Sequence, residues 1–414
     1  MSSRKSTTHP FVPSLAREGK PSNARRGEFK PRHLQVFYHN LINIFFPLLS
    51  FTAITPAEPV QESGLVFSGV SQNDLIALET LDKSKTVRDQ FDVAGANLLT
   101  LNMRNAKATV VKVDASVDFW LLLGAYADAY RRTDSSNALA VLQSPSSAFI
   151  ADVRKLYGAL YLPYADISVG RQIISFGQGL VFSPIDVFSS VNILDLSLRR
   201  RGSDVARVRV PFGDLAGIDA IAKVSSQSDG IAAAIKGYGH LGSFDIAGVG
   251  IYQGGQNEFI TGLTFKGDLA AGVYGELVEH WRYGGYRAFA GMLGADYSIT
   301  GDWYFTAEYL YNEKPQPAGT PSQFSLLQTN VALLHNHYGF ISVRYKINDL
   351  MNVSASAIAD ITAKSGLVTA QYSYNILQNA DVIVYVQGAP ASTNGLLPLP
   401  YGEVTYGVRI KVSF

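Results

Sequence analysis

From about Gly64 to its end the chain repeats one pattern, a run of alternating apolar and polar residues followed by a turn. The clearest run is 302–312, where Trp303, Phe305, Ala307, Tyr309 and Tyr311 share one parity. Tyr304, Thr306, Glu308 and Asn312 share the other. Successive side chains of a strand point to opposite faces, so this segment offers one face to lipid and one to water. The final run is as regular: Val404, Tyr406, Val408, Ile410, Val412 and Phe414 alternate with Glu403, Thr405, Gly407, Arg409, Lys411 and Ser413. Neither segment has the period of a helix.

The same pattern predicts strands near 65–79, 94–103, 107–120, 148–161, 165–174, 204–212, 216–226, 230–239 and 243–252. It continues at 258–266, 269–281, 286–299, 302–313, 337–347, 351–362, 366–376, 380–389 and 403–414. Membrane barrels use even numbers of strands of about ten residues each. The fold class is therefore all-β: a transmembrane antiparallel β-barrel of 16–18 strands, with 18 favoured. Tight turns are expected at 266–268, 300–302 and 347–350, and long links at 121–147, 175–203, 314–336 and 390–402. If the chain ends in the periplasm, alternation puts every long link on the outer side, as such barrels require. Trp120, Tyr130, Tyr161, Tyr164, Trp281, Tyr283, Tyr286 and Trp303 are expected to form the two interfacial girdles.

Composition narrows the choice. Charged residues make up 17% of the chain, below the ~25% of soluble domains. A soluble sandwich or propeller also alternates, but usually carries more surface charge. The 35 Lys and Arg nearly balance 34 Asp and Glu, which argues against a nucleic-acid partner. The absence of Cys excludes disulfides, thiolate metal sites and thiol catalysis.

The first residues differ from the rest. Residues 1–33 are polar and basic, and from Leu34 to Ala57 Lys, Arg, Asp and Glu are absent. Leu41–Ile54 fits the apolar core of a secretion signal, with Thr55-Pro56-Ala57 as its cleavage end. Residues 1–57 are thus expected to be a signal peptide or a mis-assigned leader, with translation then starting near Leu34 or Val36. A membrane anchor competes, but Pro47 and the short apolar core weaken it. Residues 58–414 form the barrel domain.

Two stretches carry a resemblance. The ending Arg409-Ile-Lys-Val-Ser-Phe414 resembles the terminal strand of bacterial outer-membrane proteins. That likeness implies recognition by the barrel assembly machinery through Phe414. The segment Gly170-Arg-Gln-Ile-Ile-Ser-Phe-Gly-Gln-Gly-Leu-Val-Phe-Ser-Pro-Ile-Asp-Val-Phe188, with Arg200-Arg-Gly-Ser-Asp204 behind it, is similar to one recurring in porin-like barrels of the alginate-export and related families. Phe176 stands where Trp is common there. The resemblance implies an outer-membrane barrel of this type, with outer-membrane lipid around its wall, and does not identify the solute. The function expected of such a barrel is passive passage of small hydrophilic solutes, anionic ones among them. Leu180, Val181, Phe182, Ile185, Val187 and Phe188 are too apolar to wave in water, so this link is expected to fold inward and narrow the lumen; packing over the rim is the competing arrangement.

Candidate chemistry then centres on charge. Arg199, Arg200 and Arg201 form the densest basic cluster, followed by Arg207 and Arg209 on the next strand. With Arg171, Asp186, Arg344, Lys346, Arg409 and Lys411 they make the expected pore-lining set, and rings of basic residues bias a pore toward anions. The competing reading is that these arginines pair with Asp186, Asp195, Asp204 and neighbouring strands. No catalytic residue, metal site or cofactor is expected, and no phosphate loop or dinucleotide motif appears. His335, His337 and a nearby carboxylate give only a weak metal pattern, and nothing selects Glu276, Glu279 and Glu308 as a hydrolytic pair. A surface adhesin, or a structural barrel without transport, is the rival function.

Overall fold

The computed structural model describes residues 64–79, 91–105, 110–133, 140–189, 191, 196–224, 231–282, 284–313, 324–325, 328–329, 335–389 and 404–414. All belong to one unit, Glu58–Phe414. The expected leader, Asp195, Tyr283 and most of the 314–336 and 390–402 links lie outside the described residues.

The strands are β1 Leu65–Glu79, β2 Phe91–Asn105, β3 Val111–Gly124, β4 Ala140–Gln143, β5 Ser147–Tyr161, β6 Asp166–Gln172 and β7 Ser203–Pro211. Next come β8 Gly217–Val224, β9 Ile231–Leu241, β10 Phe244–Gln253, β11 Glu258–Asp268, β12 Gly272–Arg282, β13 Tyr286–Ile299 and β14 Trp303–Asn312. The last are β15 Phe324–Ser325, β16 Gln328–Thr329, β17 His337–Lys346, β18 Met351–Asp360, β19 Ser365–Leu377, β20 Ala380–Gly388 and β21 Val404–Ser413. One helix, α1 (Ala125–Thr133), follows β3. All strands but β4, β15 and β16 form a closed antiparallel ring of eighteen. The ring closes where β21 pairs with β1, from Val70 opposite Ser413 to Glu79 opposite Val404.

The wall has two faces. Leu277, Leu293, Tyr309, Ile341, Val384 and Val408 are exposed, while their neighbours Glu276, Met292, Glu308, Phe340, Tyr385 and Arg409 are buried. Such a continuous exposed apolar surface is not stable in water, but it matches hydrocarbon. The apolar parity is the outside of the ring, and the architecture is that of an outer-membrane barrel. Among the described residues no helix is long and apolar enough to cross a membrane.

Short turns, such as Thr300–Asp302 between β13 and β14, lie at the end that carries the C-terminus. β3, β6, β14 and β20 all end at the opposite end, as the alternation requires. The turn expected at 266–268 falls instead at 269–271, because β11 runs on to Asp268. Trp303 stacks near Tyr345, with ring centroids 4.5 Å apart, at the turn end, and Trp281 and Tyr286 are exposed at the other. Trp120 and Tyr130 are not girdle residues. Trp120 shares the inward parity of Asp118, and Tyr130 is buried where α1 packs on Ala96, Leu122 and Ile150.

Candidate functional site

The link between β6 and β7 is built as two arms. Its first arm, residues 173–189 and 191, makes a tight turn at Ser183–Ile185 and is held together by Asp186. That carboxylate accepts the backbone N–H groups of Phe176 at 2.6 Å and Gly177 at 2.9 Å, and the Ser175 hydroxyl at 2.7 Å. The arm is then fixed to the wall by two glutamates at mid-strand. Glu276 of β12 accepts the N–H of Gln178 at 2.7 Å and Gly179 at 3.0 Å, and the Ser183 hydroxyl at 3.0 Å. Glu308 of β14 accepts the N–H of Leu180 at 2.5 Å and of Val181 and Phe182 at 3.0 Å, with the Tyr274 hydroxyl at 3.0 Å. Gly177 is required by this approach, since a Cβ there would run into Ser183 and the Glu276 carboxylate.

Apolar packing completes the attachment. Ile174, Phe176, Ile185 and Phe188 form a buried cluster with Val205, Ile221, Val249, Ile251, Ile260 and Val278 of the wall. Val181 and Phe182 pack with Met292, Leu310, Tyr338, Phe340 and Ile358. Burying a side chain of this size contributes about 1.5–3 kcal/mol relative to exposure, so the arm is strongly bound to its wall.

The second arm, Leu196–Gly202, crosses toward other strands. Leu198 has a left-handed backbone (φ 47°) and packs on the Phe182–Tyr338 cluster. The next residue, Arg199, reaches Asp118 of β3, with Nη2 2.6 Å from Oδ2, and its guanidinium lies 5.8 Å from the Trp120 ring. Nη1 of Arg199 is buried without a hydrogen-bond partner. Arg200 turns back to the first arm and pairs with Asp186, while Val191 and Arg200 form a backbone bridge between the arms. Arg201 reaches Asp152 of β5 at 2.5 Å. Ser197 accepts from Arg409 of β21 at 3.4 Å, and that arginine holds Asp74 of β1 at 2.6 and 2.8 Å. The link therefore touches strands on both sides of the ring, on the polar parity.

The remaining expected residues separate. Arg207 pairs with Asp219, and Arg209 stands 3.9 Å from the same carboxylate. Both share the inward parity of buried Val205, as Arg409 and Lys411 share that of buried Thr405. Arg344 lies 5.8 Å from the Tyr304 ring toward the turn end. Lys346 bonds Asp349 in the following turn at 2.6 Å, and that hydrogen bond holds the Asp349 carboxyl below its ordinary value. Arg171 is a correction to the sequence reading. It has the parity of exposed Ile167 and Val169, and grips Asp204 with bonds of 2.8 and 2.6 Å on the outward face. A seven-residue β6 ends at Gln172, so Arg171 sits at the strand end, where an outward charge can reach the water interface.

Two residues did more than the sequence suggested. Glu276 and Glu308 emerge as loop anchors, their oxygens taken up by backbone N–H groups. Glu279 pairs on the outward side with Arg287, with Nε at 3.0 Å. The visible sign was a carboxylate at an inward position flanked by apolar residues, since a buried charge must find partners. His335 bonds Asp360 at 2.5 Å and His337 bonds the Tyr309 hydroxyl at 2.7 Å, so the two histidines diverge. Among the described residues no group of three His, Asp or Glu could hold a metal ion.

The fold has relatives among solved structures. OccAB4 of Acinetobacter baumannii aligns with TM-score 0.52 and 9% identity, over 86% of this chain and 99% of that one. OccAB3 of the same organism aligns with TM-score 0.51 and 11% identity, over 84% and 99%. OccK11 (OpdR) of Pseudomonas aeruginosa gives TM-score 0.51 and 8% identity, over 84% and 95%. At such identities the likeness concerns the fold. No protein-family model matches the chain, and a search of curated proteins gave no match.

Proposed function

We propose that this protein is an outer-membrane channel for passive passage of small hydrophilic solutes, with the link after β6 as its constriction. The observation that carries the reading is the division of the wall. The outside of the closed ring is apolar, and the inward parity bears charged residues on many strands, a face suited to water. The shared fold with the Occ proteins supports it.

A mild anion preference follows from β7, β8 and β9. Their inward positions carry Arg207, Arg209, Lys223 and Lys236 against Asp219. The arginines of the second arm add less, because Asp118, Asp186 and Asp152 each neutralise one of them. Residues 1–57 would serve as the secretion leader. Phe414, whose backbone exchanges hydrogen bonds with Gly69 at the ring seam, would be the mark read during assembly. The proposed resemblance to alginate-export barrels rests on the Gly170–Phe188 segment and the Arg200–Asp204 stretch behind it.

Planar-bilayer recording on refolded protein tests the reading. Ion conductance is expected, with a reversal potential that moves toward cations when Arg207 and Arg209 are replaced by Ala. A folded barrel that conducts at no voltage sinks the channel, and the adhesin or scaffold reading then takes its place.

A further inference from the structure

The second arm is attached differently from the first, and this difference points to a moving part. The first arm has two carboxylate anchors and apolar contacts on both sides of its turn. The second arm reaches β3 and β5 through charged side chains, Arg199 on Asp118 and Arg201 on Asp152. Leu198 packs with the Phe182–Tyr338 cluster, and the very next side chain points to the opposite side of the ring. A left-handed backbone at Leu198 makes that reversal, a conformation that side-chain-bearing residues hold only where surroundings impose it. Gly202 ends the arm, and its N–H bonds the Arg154 carbonyl at 3.2 Å on β5.

From this geometry we propose that Leu196–Gly202 is an electrostatic clasp. It ties the wall-bound first arm to β3 and β5 and closes that side of the lumen. Release of the two aspartates lets the arm swing between Leu198 and Gly202 and widens the passage. The clasp rests on the channel reading above. Its chemistry allows reversible opening: each contact is made by a guanidinium on a flexible stem to a buried aspartate, Asp118 also standing 3.9 Å from Arg154, and neither needs the first arm to move. Arg200 remains tied to Asp186, so the arm stays tethered while its flanking arginines let go. The partnerless Nη1 of Arg199 is a donor that the closed state leaves unused.

Single-channel recording in planar bilayers compares the natural protein with Asp118→Asn/Asp152→Asn. A second variant, Asp118→Asn/Asp152→Asn/Arg199→Gln/Arg201→Gln, removes both members of each pair and leaves Arg154 on Ser116 and Asn102. Asp349→Asn, a carboxylate in a turn at the far end, is the control. The clasp predicts that both clasp variants raise the ratio of open to closed dwell times about tenfold, the shift expected when two such pairs are lost, and the control leaves it unchanged. If the first variant does not fold, the second carries the comparison alone. A natural protein that conducts, with clasp variants of the same conductance and dwell times, overturns the clasp and leaves the channel standing. No conductance from any of them, with circular dichroism showing folded barrels, overturns the channel itself and the clasp with it.

Discussion

The two arms of the link after β6 meet at the Val191–Arg200 bridge, yet they are held by different physics. The first arm offers its backbone N–H groups to carboxylates buried in the wall and covers them with apolar side chains. The second offers arginine side chains to aspartates across the interior. A backbone donor cannot rotate away from its acceptor without unfolding the turn that aims it. A guanidinium on a flexible stem can. One arm is therefore part of the wall, and the other is a contact that can be made and broken.

Substitutions can break this contrast, and the largest effect is expected at the anchors. Glu308→Ala leaves the buried N–H groups of Val181 and Phe182, and the half-buried one of Leu180, without an acceptor. At roughly 1–3 kcal/mol for each, the loss should exceed about 3 kcal/mol in urea unfolding from micelles, and proteolysis should appear in the arm. A variant as stable as the natural protein would show that the anchor contributes nothing. Ile185→Ala comes next, because Ile185 is fully buried, and it should cost about 2–5 kcal/mol in the same assay. Asp152→Asn, which removes the β5 partner of the second arm's Arg201, should cost less, about 1–2 kcal/mol, with its effect appearing chiefly in channel gating. A loss as large as that of Glu308→Ala would erase the distinction between the arms. Lys346→Ala, whose partner Asp349 sits in an exposed turn, should leave both unfolding and gating unchanged.

Alternation made the wall legible, and each of the eighteen expected strands has a counterpart in the ring. A parity of two is a local property, and no distant contact is needed to read it. It also put Glu308, Arg409 and Asp118 on the inward side before any contact was known. The interior was less legible. The helix α1 was hidden in a stretch expected to be a long link, because Ala125-Tyr-Ala-Asp-Ala-Tyr-Arg-Arg-Thr133 is short and its burial depends on Ala96 and Ile150 elsewhere in the chain. Arg171 misled because it belongs to a glycine-rich segment whose strand ends just after it. The partners of Arg199 and Arg201 come from strands some fifty to eighty residues earlier in the chain, a pairing set by how the link folds back. Alternation puts Asp118 and Asp152 on the inner face, but nothing local couples them to those arginines.

Ring closure has a consequence for how the protein is made. β1 needs two partners, β2 beside it in sequence and β21 at the far end of the chain. Until β21 is delivered, β1 has a bare edge of unpaired peptide groups, and the growing sheet cannot sit in hydrocarbon. The ring of Phe414 then covers Gly69, where any side chain on β1 would obstruct it. Phe414 thus acts as a fastener at the seam: without β21 the sheet is an open ribbon with two sticky borders.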